Sequence, residues 1–223
     1  MAGGCALAFL ASAVNTSYLV LVGMSVSHLT GDLSRFAADT LGGGKESTLT
    51  ALSLGLALTG FVFGAALSGF LIDTQNLTLS RPYGRTVSFI GCLLWVAAKV
   101  IGHSPWLAVF LASFALGVQN ALASHYRGMI LRTTHITGLL TDFGAFVGMK
   151  LRGRLIPLWK CVVPALLVFS FFSGAAVGAA LSLAFQTSSL FILSGIYLIG
   201  GLCWSVIKRM VLRNTPQAKT QTH

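Results

Sequence analysis

From Cys161 to Ala184 the chain carries no charged side chain. About 20 such residues in helical form cross the roughly 30 Å hydrocarbon layer of a bilayer. In that layer every backbone N–H and C=O must find a partner within its own segment or a closed sheet, which leaves the helix as the simplest solution. Comparable runs occupy Gly4 to Ser25, Thr48 to Ile72, Thr86 to Gly102, Trp106 to Ala123 and Ser189 to Ile207. Polar breaks separate them: GGGKES, DTQNLTLSRPYGR, HSP, a long segment around THITG, and QTSS. The sequence thus predicts an all-α integral membrane protein of six transmembrane helices. Leu10 to Ala13, LASA, imitates a signal-peptidase site, but no base precedes it. A secretory leader needs a basic start, so this segment reads as a retained first helix.

Composition excludes the soluble alternative. Only 9% of residues are charged, and mean hydropathy is +0.81, against about 25% charged in soluble domains. A net charge of +10 would point to nucleic acid in a soluble protein. Here there is no soluble domain to carry a groove-reading surface, so no nucleic-acid partner is expected. The bases instead mark a side of the membrane. With the N-terminus cytoplasmic, twelve fall inside (Arg81, Arg85, Arg127, Arg132, Lys150, Arg152, Arg154, Lys160, Lys208, Arg209, Arg213 and Lys219) and three outside (Arg35, Lys45 and Lys99). Positive charge favours the cytoplasmic side, which predicts both termini there. Cys5, Cys92, Cys161 and Cys203 lie far apart in or beside apolar runs, with no metal-binding or redox spacing. They read as small buried residues.

The chain also repeats itself. SHLTGDLSRF (Ser27 to Phe36) returns as THITGLLTDF (Thr134 to Phe143). Asn15 precedes His28 by 13 residues and Asn120 precedes His135 by 15; GAA recurs at Gly64 and Gly174. IGCLLWVAAK (Ile90 to Lys99) matches IGGLCWSVIK (Ile199 to Lys208) at Ile, Gly, Leu, Trp and Lys. Collinear matches of this kind predict a duplication: residues 1–104 and 105–210 as three-helix repeats, and 211–223 as a disordered cytoplasmic tail. An odd number of spans per repeat inverts the second copy in the membrane. Inverted repeats recur in secondary transporters, whose sites lie near the midplane where the repeats meet.

GVQNALASHYRGMILRTTHITGLLTDFG, together with SHLTGD in the first half, resembles the YoaK family of small bacterial multi-pass membrane proteins, a domain of unknown function. The resemblance covers nearly the whole chain and implies six helices in a bacterial inner membrane, with no substrate attached. Two positions depart from it: Asn15 stands where the family commonly has an acid, and Asp32 where it has Asn.

Each copy of the motif offers His, a hydroxyl two residues on, then Gly. A substrate or proton pathway is expected from Asn15, His28, Thr30 and Asp32 in the first half and Gln119, Asn120, His135, Thr137 and Asp142 in the second. His28 and Asp32 are spaced i,i+4, and His135 and Asp142 i,i+7, which places each pair on one helical face. Gly31 and Gly138 are expected to permit a break or close approach. Charge deep in a bilayer is costly and marks function, and histidine titrates near neutrality. The bland alternative is that the two motifs merely cap helices where they emerge at opposite surfaces. Gly60, Gly64 and Ser68, and Gly174 and Gly178, recur at spacing four and suit close helix packing.

No hydrolase, P-loop or dinucleotide fingerprint is present, and the His and Asp spacings match no metal motif. The expected function is a small secondary transporter or channel for an unidentified small solute or ion. No cofactor, no metal and no enzymatic activity are expected. A membrane scaffold or assembly factor is the alternative, and an intramembrane enzyme comes after that; oligomeric state is open.

Overall fold

Eight helices form among the residues that the computed structural model describes, which are 2–42, 45–71, 83–122, 125–126, 129–130 and 135–214. In order they are α1 (Ala2–Val22), α2 (Leu29–Gly42), α3 (Lys45–Leu71), α4 (Tyr83–Val100), α5 (Pro105–Leu122), α6 (Ile136–Leu151), α7 (Trp159–Phe185) and α8 (Ser188–Asn214). Two-residue strands, β1 (His125–Tyr126) and β2 (Met129–Ile130), pair antiparallel between α5 and α6. The LASA tetrapeptide lies inside α1, where Ala11 and Ala13 are fully buried.

Six of these helices grow from the six apolar runs. Five stretches are long and apolar enough to cross a membrane: Ala2–Val22, Thr50–Leu71, Pro105–Leu122, Trp159–Phe185 and Ser188–Val211. The sixth predicted span corresponds to α4, which carries Arg85 in its first turn and Lys99 in its last and falls outside that group. The two helices that the apolar runs did not predict, α2 and α6, sit on the duplicated polar motif itself. The predicted tail also begins too early, since α8 continues to Asn214; residues 215–223 lie outside the described residues.

The ends follow ordinary rules. Pro105 opens α5, where a missing N–H costs nothing. Gly23 closes α1 with φ +75°, its N–H donating to Leu19 O at 3.0 Å. A left-handed residue just past a helix favours glycine, which has no β-carbon to clash.

The outer surface is apolar to a degree no water-soluble fold sustains: Phe70, Phe172 and Leu183 are 87%, 71% and 70% exposed. Contiguous apolar surface of that kind needs lipid against it. Between helices the contacts are made by small residues. Ala8, Ala11, Ala57, Ala97, Ala108, Ala112 and Ala115 are all fully buried, which allows backbones to approach where hydrophobic driving force between helices is absent.

The most extensive packing joins α3 to α5, α1 to α7 and α4 to α8, always one helix from each half of the chain. At Gly64 the α3 backbone lies against Phe114 O with no room for a β-carbon. Gly174 on α7 meets Phe9 O in the same way, and Gly178 meets Ala13 O. A β-carbon on Gly60 would lie 2.6 Å from Phe110 O. Ser68 is buried one turn further along α3.

Candidate functional site

Asn15 organises the first copy of the motif. Its Oδ1 accepts from Ser25 Oγ, Val26 N and Ser27 N at 2.9 Å each, and from Ser27 Oγ at 3.0 Å. Ser25 Oγ in turn accepts from His28 N at 2.9 Å. Asn15 lies seven residues before the end of α1, or roughly 10 Å of helix at 1.5 Å per residue. The chain therefore leaves α1 at Gly23, doubles back, and descends roughly 10 Å along the helix it has just left before α2 begins. The amide oxygen supplies the acceptor that irregular backbone at that depth requires. Val26 and Ser27 are buried there as well.

This return places His28 at the N-terminal boundary of α2. Its ring meets Phe171 of α7 edge-on, with centroids 4.9 Å apart and planes at 90°. Burial lowers its pKa from the ordinary value, and the positive charge available to His135 lowers it further. His135 itself stands at the N-cap of α6, and its side chain makes no capping hydrogen bond.

Asp32 lies in the first turn of α2. Burial raises its pKa, with Arg35 and the Ser25 hydroxyl opposing. Its Oδ2 is buried and has no hydrogen-bond partner among the described residues. Arg35 also pairs with Asp39 at 3.6 Å one turn on. The pKa values of His28 and Asp32 are thus displaced toward each other. A proton can pass between such groups at smaller cost than between an ordinary histidine and an ordinary carboxylate.

The other predicted residues divide. Thr137 and Asp142 are exposed on α6, and Thr137 O accepts from Thr141 Oγ1 at 2.9 Å. Asp142 is two turns from His135, too far along α6 to act as the counterpart of Asp32. The Thr30 side chain lies outside the described residues, though its backbone belongs to α2. Asn120 is buried near the end of α5. Gln119 is fully buried and joins three helices: its Nε2 donates to Leu7 O of α1 at 2.8 Å, and its Oε1 accepts from Tyr197 of α8. Gly31 and Gly138 provide neither a break nor a close approach. Both lie in regular first turns, where a β-carbon would find nothing among the described residues within 4 Å; the break is at Gly23.

Sequence reasoning missed four contributors. Ser25 precedes the motif and Ser27 opens it, and their roles could have been found as hydroxyls beside a helix end. Phe171 and Tyr197 sit in apolar runs and give no local signal.

Comparison with known proteins agrees with the resemblance read from the motifs. No curated protein and no solved structure matches the chain. The family model described as "Protein of unknown function (DUF1275)" matches residues 3–203. That match spans both motif copies and reaches into all eight helices, and the chain is therefore a member of the DUF1275 family.

Proposed function

We propose that this protein is a small secondary transporter or channel of a bacterial inner membrane, with both termini cytoplasmic and a proton-linked polar site between two inverted three-helix repeats. The carrying observation is that the chain returns roughly 10 Å down along α1 to Asn15, which sets His28 at the start of α2 against Phe171 of α7. With the second copy inverted, α2 and α6 enter from opposite faces, so histidines that meet must do so toward the midplane. Half-helices ending at the midplane are a recurrent device of transporters.

The packing supports the duplication. Exchange α1 for α5, α2 for α6, α3 for α7 and α4 for α8, and the principal contacts map onto one another: α1 with α7 becomes α5 with α3, α2 with α3 becomes α6 with α7, and α4 with α8 is unchanged. At residue level, the spacing that equates Asn15 with Asn120 also equates Phe9 with Phe114. Gly64 rests on Phe114 and its counterpart Gly174 rests on Phe9, one contact made twice. In this reading α4 is the sixth span, its Arg85 and Lys99 close enough to the ends to reach the interfaces.

Chemically, Asp32 holds a proton more readily than an ordinary carboxylate and His28 less readily than an ordinary histidine. The pair suits a step in which a proton moves as α2 and α6 shift.

Liposomes containing the purified chain and a trapped pH dye test the reading under an imposed gradient, with a panel of small solutes. The native protein should carry proton-linked flux, and His28→Ala or His135→Ala should lower it by about a hundredfold or more, the smaller end of what a positioned proton-transfer group contributes. Because burial keeps His28 neutral to lower pH than usual, the flux should change below the ordinary histidine range. Variants with native flux would sink the site assignment; absence of any flux, with copurification of a partner protein, would favour the scaffold. Orientation is checked separately in cells, in a background lacking the four native cysteines. A membrane-impermeant thiol reagent should label Gly42→Cys and spare Gly153→Cys, and labelling of the latter would invert the topology.

A further inference from the structure

The turn between α6 and α7 is chemically unlike the rest of the molecule. Along Lys150, Leu151, Arg152, Gly153, Arg154 and Leu155, bases alternate with large apolar or small residues. Leu155 is 100% exposed, Leu151 84% and Leu158 63%, and Lys150, Arg152 and Arg154 are exposed between them. The turn is fixed, not loose: Arg152 N donates to Gly148 O at 3.1 Å, Gly153 N to Lys150 O at 3.0 Å and Arg154 N to Met149 O at 3.1 Å. Gly153 takes φ +83° to make it.

No acidic side chain lies close to these bases in sequence. Asp142 is the last acidic residue in the chain, and it lies eight residues before Lys150, roughly 12 Å away along α6. The ion pair found among the described residues, Arg35 with Asp39, is on α2. The C-terminal dipole of α6 offers only about half a negative charge against three full positive ones. Lys160, by contrast, is engaged, with its Nζ 5.4 Å from the Phe146 ring centroid and 5.9 Å from that of Trp159.

The turn also has a defined depth. Trp159 opens α7, which is apolar enough to cross the membrane, and tryptophan at the start of such a helix sits at the headgroup level. Exposed leucines beside it then reach acyl chains while the three bases lie in the phosphate layer.

The geometry points to a binding site for an anionic phospholipid headgroup at the α6–α7 turn, formed by Lys150, Arg152 and Arg154 with Leu151, Leu155 and Leu158 beneath its acyl chains. Charge complementarity selects the occupant: a phosphate carrying net negative charge, at the level where phosphates lie, beside apolar side chains that a water-soluble acidic partner would leave exposed. The site does not depend on transport, because it requires only that α7 cross the membrane.

Quenching of Trp159 by brominated lipid reads it directly. The full chain, with Trp95, Trp106 and Trp204 replaced by Phe, is reconstituted in phosphatidylcholine containing graded amounts of brominated phosphatidylglycerol. The association constant for phosphatidylglycerol relative to phosphatidylcholine should be about fivefold or more at low salt. It should approach one in the Lys150→Gln, Arg152→Gln, Arg154→Gln triple variant and stay near native with Lys150→Arg, Arg152→Lys, Arg154→Lys. A ratio near one with the native bases, or a high ratio that survives the triple Gln variant, overturns the site. Should the triple variant fail to reconstitute, the native-base protein in 1 M salt serves instead: screening to about 3 Å should remove the preference, and its persistence overturns the site equally.

Discussion

Gly64→Val should abolish recovery of folded, monodisperse protein, while Gly69→Ala, on the same helix, should leave it intact. At Gly64 the α3 backbone touches the Phe114 carbonyl of α5, and the atoms in the way are backbone, which cannot rotate aside. Overpacking a core typically costs about 1–3 kcal/mol where side chains can yield; here two helices must separate along their length, so the loss should exceed that range. Gly174→Val, against Phe9 O of α1, should behave alike. At Gly69 nothing among the described residues lies within 4 Å of an added β-carbon, and alanine is the better helix former by about 0.5–1 kcal/mol. Size-exclusion profiles and thermal melts in detergent compare the three. A Gly64→Val protein that elutes and melts like the native one would show that α3 and α5 do not touch as described.

Asn15→Leu should be nearly as damaging, for the opposite reason. The substitution keeps the number of side-chain heavy atoms but removes the acceptor of four donors in a buried segment. Each buried donor left without a partner costs about 1–3 kcal/mol, so even partial re-pairing leaves a loss of several kcal/mol, comparable with the stability of a whole domain. Asn15→Asp is the informative companion, because every one of the four bonds ends on Oδ1 and a carboxylate keeps that oxygen. The expected order of melting temperature is native, then Asp, then Leu well below. If Leu melted with the native protein, the return of residues 25–28 to α1 would be wrong, and the position of His28 with it.

The spans were legible because lipid makes one demand of a segment, apolar length, and that demand is local. The repeated motif was legible because matches in order survive whatever the fold does. The doubling back after α1 was not. Its cause is an Asn inside an apolar run and two serines beyond a glycine, each ordinary alone, and only their meeting reveals a device. Gly31 and Gly138 show the converse error: a glycine announces freedom that the backbone need not use, and here Gly23 uses it. α2 and α6 escaped because their sequences are too polar to read as spans and too short to stand as free helices; α2 packs on α3 and α6 on α7. Asp142 lies two turns along α6 from His135, since a spacing of seven shares a face but not a depth. Phe171 could not be picked out, because an aromatic ring in an apolar run becomes a histidine's neighbour only through the packing of α7.

Pairing every major helix with one from the other half has a consequence for how the molecule comes into being. Synthesis runs from the N-terminus, so α1 and α3 enter the bilayer well before α7 and α5 exist to cover them. The Asn15 knot spans only residues 15–28 and can close at once, satisfying the polar groups of that segment while the chain is still short. The glycine faces of α3, by contrast, remain bare to lipid until the second half arrives. Assembly thus divides into an early step that settles polarity and a late one that settles shape, and a chain interrupted after α4 would hold a finished motif in an unfinished protein.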